Sequence, residues 1–490
     1  MNRNETELFT PAVPESLGIS SSAILRFIER IEREGINMHG FLVLRKGRIA
    51  AEGYWAPFSR DRMHRMYSIS KSFVSLAIGL LVDEGKLRLE DRVAAFFEDK
   101  VPDHLHPYVA QTTVRDLLMM AGPHSAVSYS RQDRDFADTF FRKEPSHPPG
   151  SVFFYDTAGT VVLTTIVERI SGVPFLTYMR DKLLDPVGFS KEAWCIRTPE
   201  GTSWGGSGVM CTLRDTAKLA YVCMNDGRWN GKQLISEAYI REATSKQIDN
   251  SLSGDIGYGY QIWCEEDRGF SFRGMGSQFA IVYPDRELVF ACTSDTQMMG
   301  HIAPILIRNA LREELLANLH DGPLPADDAA RKALERKIDS LHIIPQQGGL
   351  TSSYAEKING KWYRLHENPM NISRLRFTFE GDEGRWEYEN ESGLHRLDFG
   401  IGKQKEGTFP ETKYFGERIG TAKGEGYTCL VSGAWVEEHK LNLLVYITDD
   451  YLGTAKMTFS FIDDKISVHM LKAAEWFLDE YSGFAGGVLA

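Results

Sequence analysis

Hydrophobic and polar positions follow three patterns along this chain. Over residues 20–34 they recur at helical spacing, with Ile24, Phe27, Ile28 and Ile31 on one face. The next stretch, GFLVLRKGRIAAEGYW over residues 40–55, reads as two strands joined by a turn at RKGR. A dense apolar run over residues 73–82 then predicts a buried helix, opening with Ser68, Ile69, Ser70 and Lys71. Gly85 is expected to end that helix and Asp91 to cap another. Residues 112–230 read mostly as helix and loop. Strand patterns return over residues 257–295, in GYGYQIWCEE, RGFSFRGMGSQFAIVYP and RELVFACTSD. Strands at both ends of a helical middle predict one sheet built from both ends of the region.

From about residue 353 the period changes to two, as in SRLRFTF, RWEYE, KLNLLVYITDD and TAKMTFSFIDDKISVHML. This predicts a separate antiparallel all-β, barrel-like module. Between the two patterns lies HDGPLPADDAARKALERK, a charged helix bounded by prolines, followed by the linker chemistry of IIPQQGGLTSS. The expected organisation is an α/β domain over 1–320, a helical linker over 321–352 and a β-barrel-like domain over 353–490.

Composition narrows the function classes. A chain of 490 residues is too long for one ordinary domain. Its net charge of −11 argues against nucleic acid or an anionic membrane surface as partner. The longest apolar run is far shorter than the roughly 20 residues a membrane span needs. MNRNETELFTPAVPESLG, at the start, has no apolar run, so no signal peptide is expected. Cys195, Cys211, Cys223, Cys264, Cys292 and Cys429 form no CxxC, and are expected to be reduced thiols of a cytoplasmic protein. Asp103-His104-Leu105-His106 reads as a solvated loop rather than a metal site. No metal or cofactor is expected.

The chemistry concentrates at Ser68 and Lys71. Residues i and i+3 of a helix share a face, so the two side chains should sit together on the first turn. A desolvated, neutral lysine can take the proton of a serine, and first-turn amides are free to face an oxyanion. The tetrapeptide alone is weak, because roughly one or two S-x-x-K would arise by chance in such a chain. Its bland alternative is a capping serine and a lysine that reaches solvent.

S-x-x-K is the nucleophile motif of β-lactamases and penicillin-binding proteins, and further segments fall in the order of that family. HGFLVLRKGRIAAEGYW matches its opening hairpin, MYSISKSFVSLAIGLLVDEGKLRLEDRVAAFF its nucleophile helix, and TTVRDLLMMAGPHS a following helix. PPGSVFFYDTAGTVVLTTIVERISG matches the segment of its second motif, and GGSGVMCTLRDTAKLAYVCMNDGRWNGKQLIS the helix after it. Over roughly residues 15–315 the chain resembles the serine β-lactamase-like superfamily. The resemblance is to the branch with class C β-lactamases, family VIII carboxylesterases, D-aminopeptidases and 6-aminohexanoate-dimer hydrolase.

The resemblance implies an antiparallel sheet flanked by helices, with a helical subdomain. It implies a serine hydrolase in which Ser68 is the nucleophile and Lys71, with Tyr155, takes the proton. The second motif, Y-x-N in the family, is here Tyr155-Asp156-Thr157, so Thr157 stands where an asparagine would bind the acyl-side amide. Asp156 is expected to be a solvated loop acid. The third motif, K-T-G or H-x-G, falls at Phe272-Arg273-Gly274, with the Met275 amide joining that of Ser68 as oxyanion donor and Arg273 supplying the motif's charge. A second register uses Gly274-Met275-Gly276 and the Ser277 amide. The implied substrate is a small-molecule or short-peptide ester or amide, with weak β-lactam turnover at most. The module from residue 353 resembles the lipocalin-like barrels of D-aminopeptidase-type members, where it would shape the cleft, bind a ligand or dimerise; a homo-oligomer is left open. The rival reading is a catalytically inactive penicillin-binding-type scaffold.

Overall fold

The computed structural model describes residues 8–490 except 252–253, 411–413 and 425. Residues 1–7, the first part of the stretch expected to lack a signal peptide, lie outside the described residues. The chain divides into two compact units. The first takes in Met1–Ser294, His301–His342 and Glu417–Gly420, and the second Asp295–Gly300, Ile343–Gly416 and Thr421–Ala490. The stretch expected as a linker is therefore shared between the units, with the change at His342 and Ile343.

The strands of the first unit, in chain order, begin with β1 (Met38–Arg45), β2 (Arg48–Tyr54), β3 (His64–Arg65), β4 (Trp194–Cys195) and β5 (Val209–Cys211). They continue with β6 (Arg228–Trp229), β7 (Lys232–Gln233), β8 (Trp263–Cys264), β9 (Phe270–Gly274), β10 (Gln278–Tyr283) and β11 (Leu288–Ser294). The main sheet has six strands in the order β2-β1-β11-β10-β9-β8, each pair antiparallel. The two ends of the region thus share one sheet, as the strand pattern predicts. β1 is buried at all eight positions because both of its faces are covered. Phe41 meets Phe27 of the helix Ser21–Arg33, while Leu42 and Leu44 join the main core with Phe73 and Val74 of the helix Ile69–Asp83.

That second helix is buried from Ile69 to Leu81 without a polar face, so its pattern is one of density rather than period. Gly85 follows its end with φ +66°, as a C-terminal glycine should. Asp91 does not cap a helix; it accepts the Arg88 amide at 2.8 Å and closes a turn, after which comes only the 3-10 turn Val93–Phe96. GYGYQIWCEE yields just β8. The amide of Tyr260 bonds to the Ala243 carbonyl and that of Gln261 to the Leu118 carbonyl, so this backbone serves neighbouring helices instead of a ladder. Among the described residues, no single helix is long and apolar enough to cross a membrane.

The second unit is a barrel of strands β12 (Trp362–Leu365), β13 (Arg374–Glu380), β14 (Glu383–Asn390), β15 (Gly393–Ile401) and β16 (Lys405–Phe409). β17 (Tyr427–Glu437), β18 (Lys440–Thr448), β19 (Leu452–Ile462), β20 (Lys465–Ala474) and β21 (Gly483–Leu489) complete it. Their order is β15-β14-β13-β12-β21-β20-β19-β18-β17-β16, and a parallel pairing of β15 with β17 closes the ring, leaving β16 outside it on β17. Closure removes the open edges that would otherwise invite association.

Candidate active site

The short strand β3 delivers the chain to the turn that carries Ser68. The Met66 amide bonds to the Val209 carbonyl at 2.9 Å, continuing the β3–β5 pairing. Tyr67 then takes φ 47°, an unfavourable conformation for a residue with a side chain. Packing holds it there: Tyr67 is buried, and the Arg65 guanidinium lies 4.3 Å from its ring centroid. Arg65 is itself fixed by Ser207, donating to its carbonyl and its hydroxyl at 3.1 Å each. Ser68 follows at the N-cap of the helix Ile69–Asp83.

The helix spacing brings Lys71 onto Ser68. Lys71 Nζ lies 3.0 Å from Ser68 Oγ and 2.5 Å from the Gly206 carbonyl oxygen, and the residue is 1% exposed. The neighbouring serines are committed elsewhere. Ser70 Oγ accepts the Val209 amide at 3.0 Å, and Ser72 Oγ donates to the Gln261 carbonyl at 2.8 Å. Lys71 therefore does not reach solvent, and Ser68 is the serine of this run that it touches.

Gly206, whose carbonyl meets Lys71, is not among the residues that the sequence motifs single out. A Cβ on it would lie 2.5 Å from Thr157 Cγ2, and one on Gly205 would lie 2.1 Å from Thr164 Oγ1. Both glycines are needed so that the turn can press on the helix Thr157–Ser171 and offer a carbonyl to the lysine. The only sequence signal was the Gly-Gly pair itself.

The second motif closes the other side. The Tyr155 ring centroid lies 5.1 Å from Lys71 Nζ. Burial pushes the Tyr155 phenol up to about 12, against a hydrogen bond with Ser68 and the nearby charge of Arg273. Tyr155 stacks on Trp263 at 5.4 Å, and Tyr258 meets Trp263 edge-on at 4.9 Å. Asp156 is not a solvated loop acid. It is 5% exposed and caps the helix Thr157–Ser171, accepting the Ala158 amide at 2.9 Å and the Gly159 amide at 3.3 Å. Burial pushes its carboxyl up to about 6, opposed by those two amides and by the charge of Lys71. Thr157 is the first residue of that helix, its methyl turned to Gly206.

The third motif lies at the end of β9. A Cβ on Gly274 would stand 2.4 Å from the Met66 carbonyl oxygen, so the strand edge runs directly against the turn that leads to Ser68. Gly274 pairs with Gln278, leaving Met275, Gly276 and Ser277 as a three-residue turn. Gly276 and Ser277 have φ of 73° and 65°; Ser277 is buried and Met275 is 40% exposed. Arg273 is not turned outward as a loose cation. Nη1 donates to Asp255 at 2.7 Å, Nη2 to Glu265 at 2.8 Å and Nε to the Ser271 hydroxyl at 2.9 Å.

Ser68, Lys71, Tyr155 and Thr157 thus converge around Gly206, with Gly274 against the adjacent backbone. Trp263 and Glu265, which line up behind Tyr155 and Arg273, lie in a stretch that reads only as a strand. His106, from the short histidine loop, caps the helix Pro107–Gln111 by accepting the Tyr108 amide at 3.1 Å.

The chain matches the Beta-lactamase family over residues 27–310, more than half of its length. It is 26% identical over 292 residues to 6-aminohexanoate-dimer hydrolase of Paenarthrobacter ureafaciens, an alignment covering 54% of this chain and 74% of that one. Two solved structures share the fold. SurE aligns over 87% of this chain and 95% of its own with a TM-score of 0.51 at 19% identity. EstCE1, described as a hydrolase with promiscuous acyltransferase activity, aligns over 61% and 99% with a TM-score of 0.50 at 16% identity. The family match spans more than half of the chain, and the chain belongs to the Beta-lactamase family.

Proposed function

We propose that this protein is a serine hydrolase that cleaves a small ester or amide through an acyl-enzyme on Ser68. The observation that carries the reading is the 3.0 Å approach of Ser68 Oγ to the buried Lys71 Nζ, with one lysine N–H held by the Gly206 carbonyl. In its neutral form the amine keeps a lone pair for the serine proton. Ser68 Oγ attacks the substrate carbonyl carbon while its proton passes to Lys71. The amides of Ser68 and Met275 receive the oxyanion. As the carbonyl re-forms, the bond to the leaving group breaks, and the proton returns to that group through Tyr155. Water then attacks the acyl-enzyme by the reverse relay. The phenol of Tyr155, pushed up to about 12, starts protonated and suits the donor role. Thr157 in place of asparagine and Phe272 in place of a cation argue for weak β-lactam turnover at most. The name of the 6-aminohexanoate-dimer hydrolase supports hydrolysis of a small amide-linked substrate.

The test is covalent labelling by a fluorophosphonate together with hydrolysis of p-nitrophenyl hexanoate. Ser68→Ala should lose both, and Ser72→Ala should keep both. A wild-type protein that neither labels nor hydrolyses would favour the inactive scaffold.

A further inference from the structure

We propose that Arg273 is a positioning residue for Tyr155, acting through Trp263, and that the protein takes substrates with uncharged acyl groups instead of carboxylates. This rests on the hydrolase reading above and specifies its substrate class. The guanidinium that could have gripped an anion is already matched. Besides Arg273, Glu265 accepts the Ser271 hydroxyl at 2.6 Å and Arg308 Nη2 at 2.5 Å, and its side chain is 2% exposed. Two carboxylates, Asp255 and Glu265, thus face two guanidiniums, Arg273 and Arg308, and the cluster sums to zero. An incoming carboxylate would have to leave water for a cation whose charge is spent.

What the cluster does fix is geometry. The Arg273 fork is pinned at three nitrogens, and its central carbon lies 4.8 Å from the Trp263 ring centroid. Trp263 stacks on Tyr155 with ring planes 26° apart. The order of support runs from Asp255 and Glu265 through Arg273 and Trp263 to the phenol beside Ser68. A lysine would keep the charge but could not hold both carboxylates in one plane.

The experiment uses the full chain and two substrates of equal acyl length, p-nitrophenyl hexanoate and mono-p-nitrophenyl adipate. Arg273→Gln should lower kcat on both by up to about a hundredfold, the scale of a catalytic group misplaced by about an ångström, and leave the ratio of their KM values unchanged. Arg273→Lys should not restore kcat. Trp263→Leu should reproduce the loss and Trp263→Phe should recover most of it. Should Arg273→Gln fold poorly, Arg273→Gln with Asp255→Asn keeps the charge balanced and should show the same kcat loss. Near-UV circular dichroism reads the stack without turnover: the signal lost in Tyr155→Phe should also fall in Arg273→Gln. That signal separates this proposal from the hydrolase reading, which the labelling of wild-type Ser68 tests by itself. A selective rise in KM for the adipate ester, or an intact dichroism signal in Arg273→Gln, would overturn the positioning role.

Discussion

The interiors of the two units are built on opposite terms. Around Ser68 the first unit buries a lysine and a carboxyl beside a half-buried phenol, and holds each with backbone groups or rings. The barrel fills its interior with aromatic rings. Trp386 stacks on Tyr388 at 4.1 Å, Tyr414 on Tyr427 at 4.3 Å, and Phe377 meets Phe459 edge-on at 4.9 Å. Its buried hydroxyls meet one another, as Tyr388 and Tyr481 do at 2.7 Å, or the backbone, as Tyr414 does at Tyr451. The first interior keeps groups whose protonation can change, at the cost of burying them. The second also buries phenols, those of Tyr388, Tyr414 and Tyr427, but packs them ring on ring.

The contrast can be broken at several points. Trp386→Ala should have the largest effect, a loss of about 3–5 kcal/mol in unfolding free energy, the range for deleting a buried large ring. Urea titration should show that loss, while kcat at 25 °C should stay within about twofold, since each 1.36 kcal/mol of barrier is a factor of ten. Lys71→Arg should do the reverse. Guanidinium stays charged and cannot accept the serine proton, so kcat/KM for p-nitrophenyl hexanoate should fall by at least about a hundredfold with the far-ultraviolet dichroism intact. Retention of most activity would make Lys71 a fixed positive charge and pass the role of base to Tyr155. Gly206→Ala should be milder, lowering kcat by about thirtyfold as the carbonyl that orients the lysine is displaced; steady-state kinetics would show KM little changed.

The smallest effect concerns pH. The Asp156 carboxyl is raised to about 6 in the folded protein from an ordinary 3.8. Between those values the folded state holds a proton that the unfolded chain releases. This stability contribution is full below about pH 4 and is lost as pH rises through about 6. Asp156→Asn still caps the helix but cannot ionise, so it should gain on the wild type by on the order of 2 kcal/mol between about pH 4 and pH 7. Chemical denaturation at the two pH values checks the sign; a constant difference would mean that Asp156 is charged throughout.

The parts of the fold legible in the sequence are those that rest on local pattern. The helix Ile69–Asp83 is announced by its apolar density, and the barrel strands by their alternation. Ser68 and Lys71 are legible because helix geometry alone joins residues three apart. The rest of the site depends on distant pairings. Nothing near Arg273 in the chain says that Asp255 and Glu265 will meet it, or that Trp263 will lie beneath it. Gly206 meets Lys71 across 135 positions. Asp156 looks like a loop acid because the motif draws attention to its neighbours; its burial follows from the start of a helix one residue later. The aromatic stretch over residues 257–266 imitates a strand because its glycines and rings suit close backbone approach as well as pleating.

The way the chain is shared between its units also bears on how it could be cut or recombined. The first unit takes in Glu417–Gly420, more than seventy positions beyond its main stretch. There the Ile419 amide bonds to the Arg197 carbonyl at 3.0 Å and the Arg197 amide to the Glu417 carbonyl at 2.8 Å, and Ile419 is 1% exposed. A gene ending at His342 would omit that buried side chain and leave both Arg197 backbone groups without these partners. No single splice point excises the first unit whole. A transplantable version needs either the entire chain or a redesigned Arg197 edge that tolerates water.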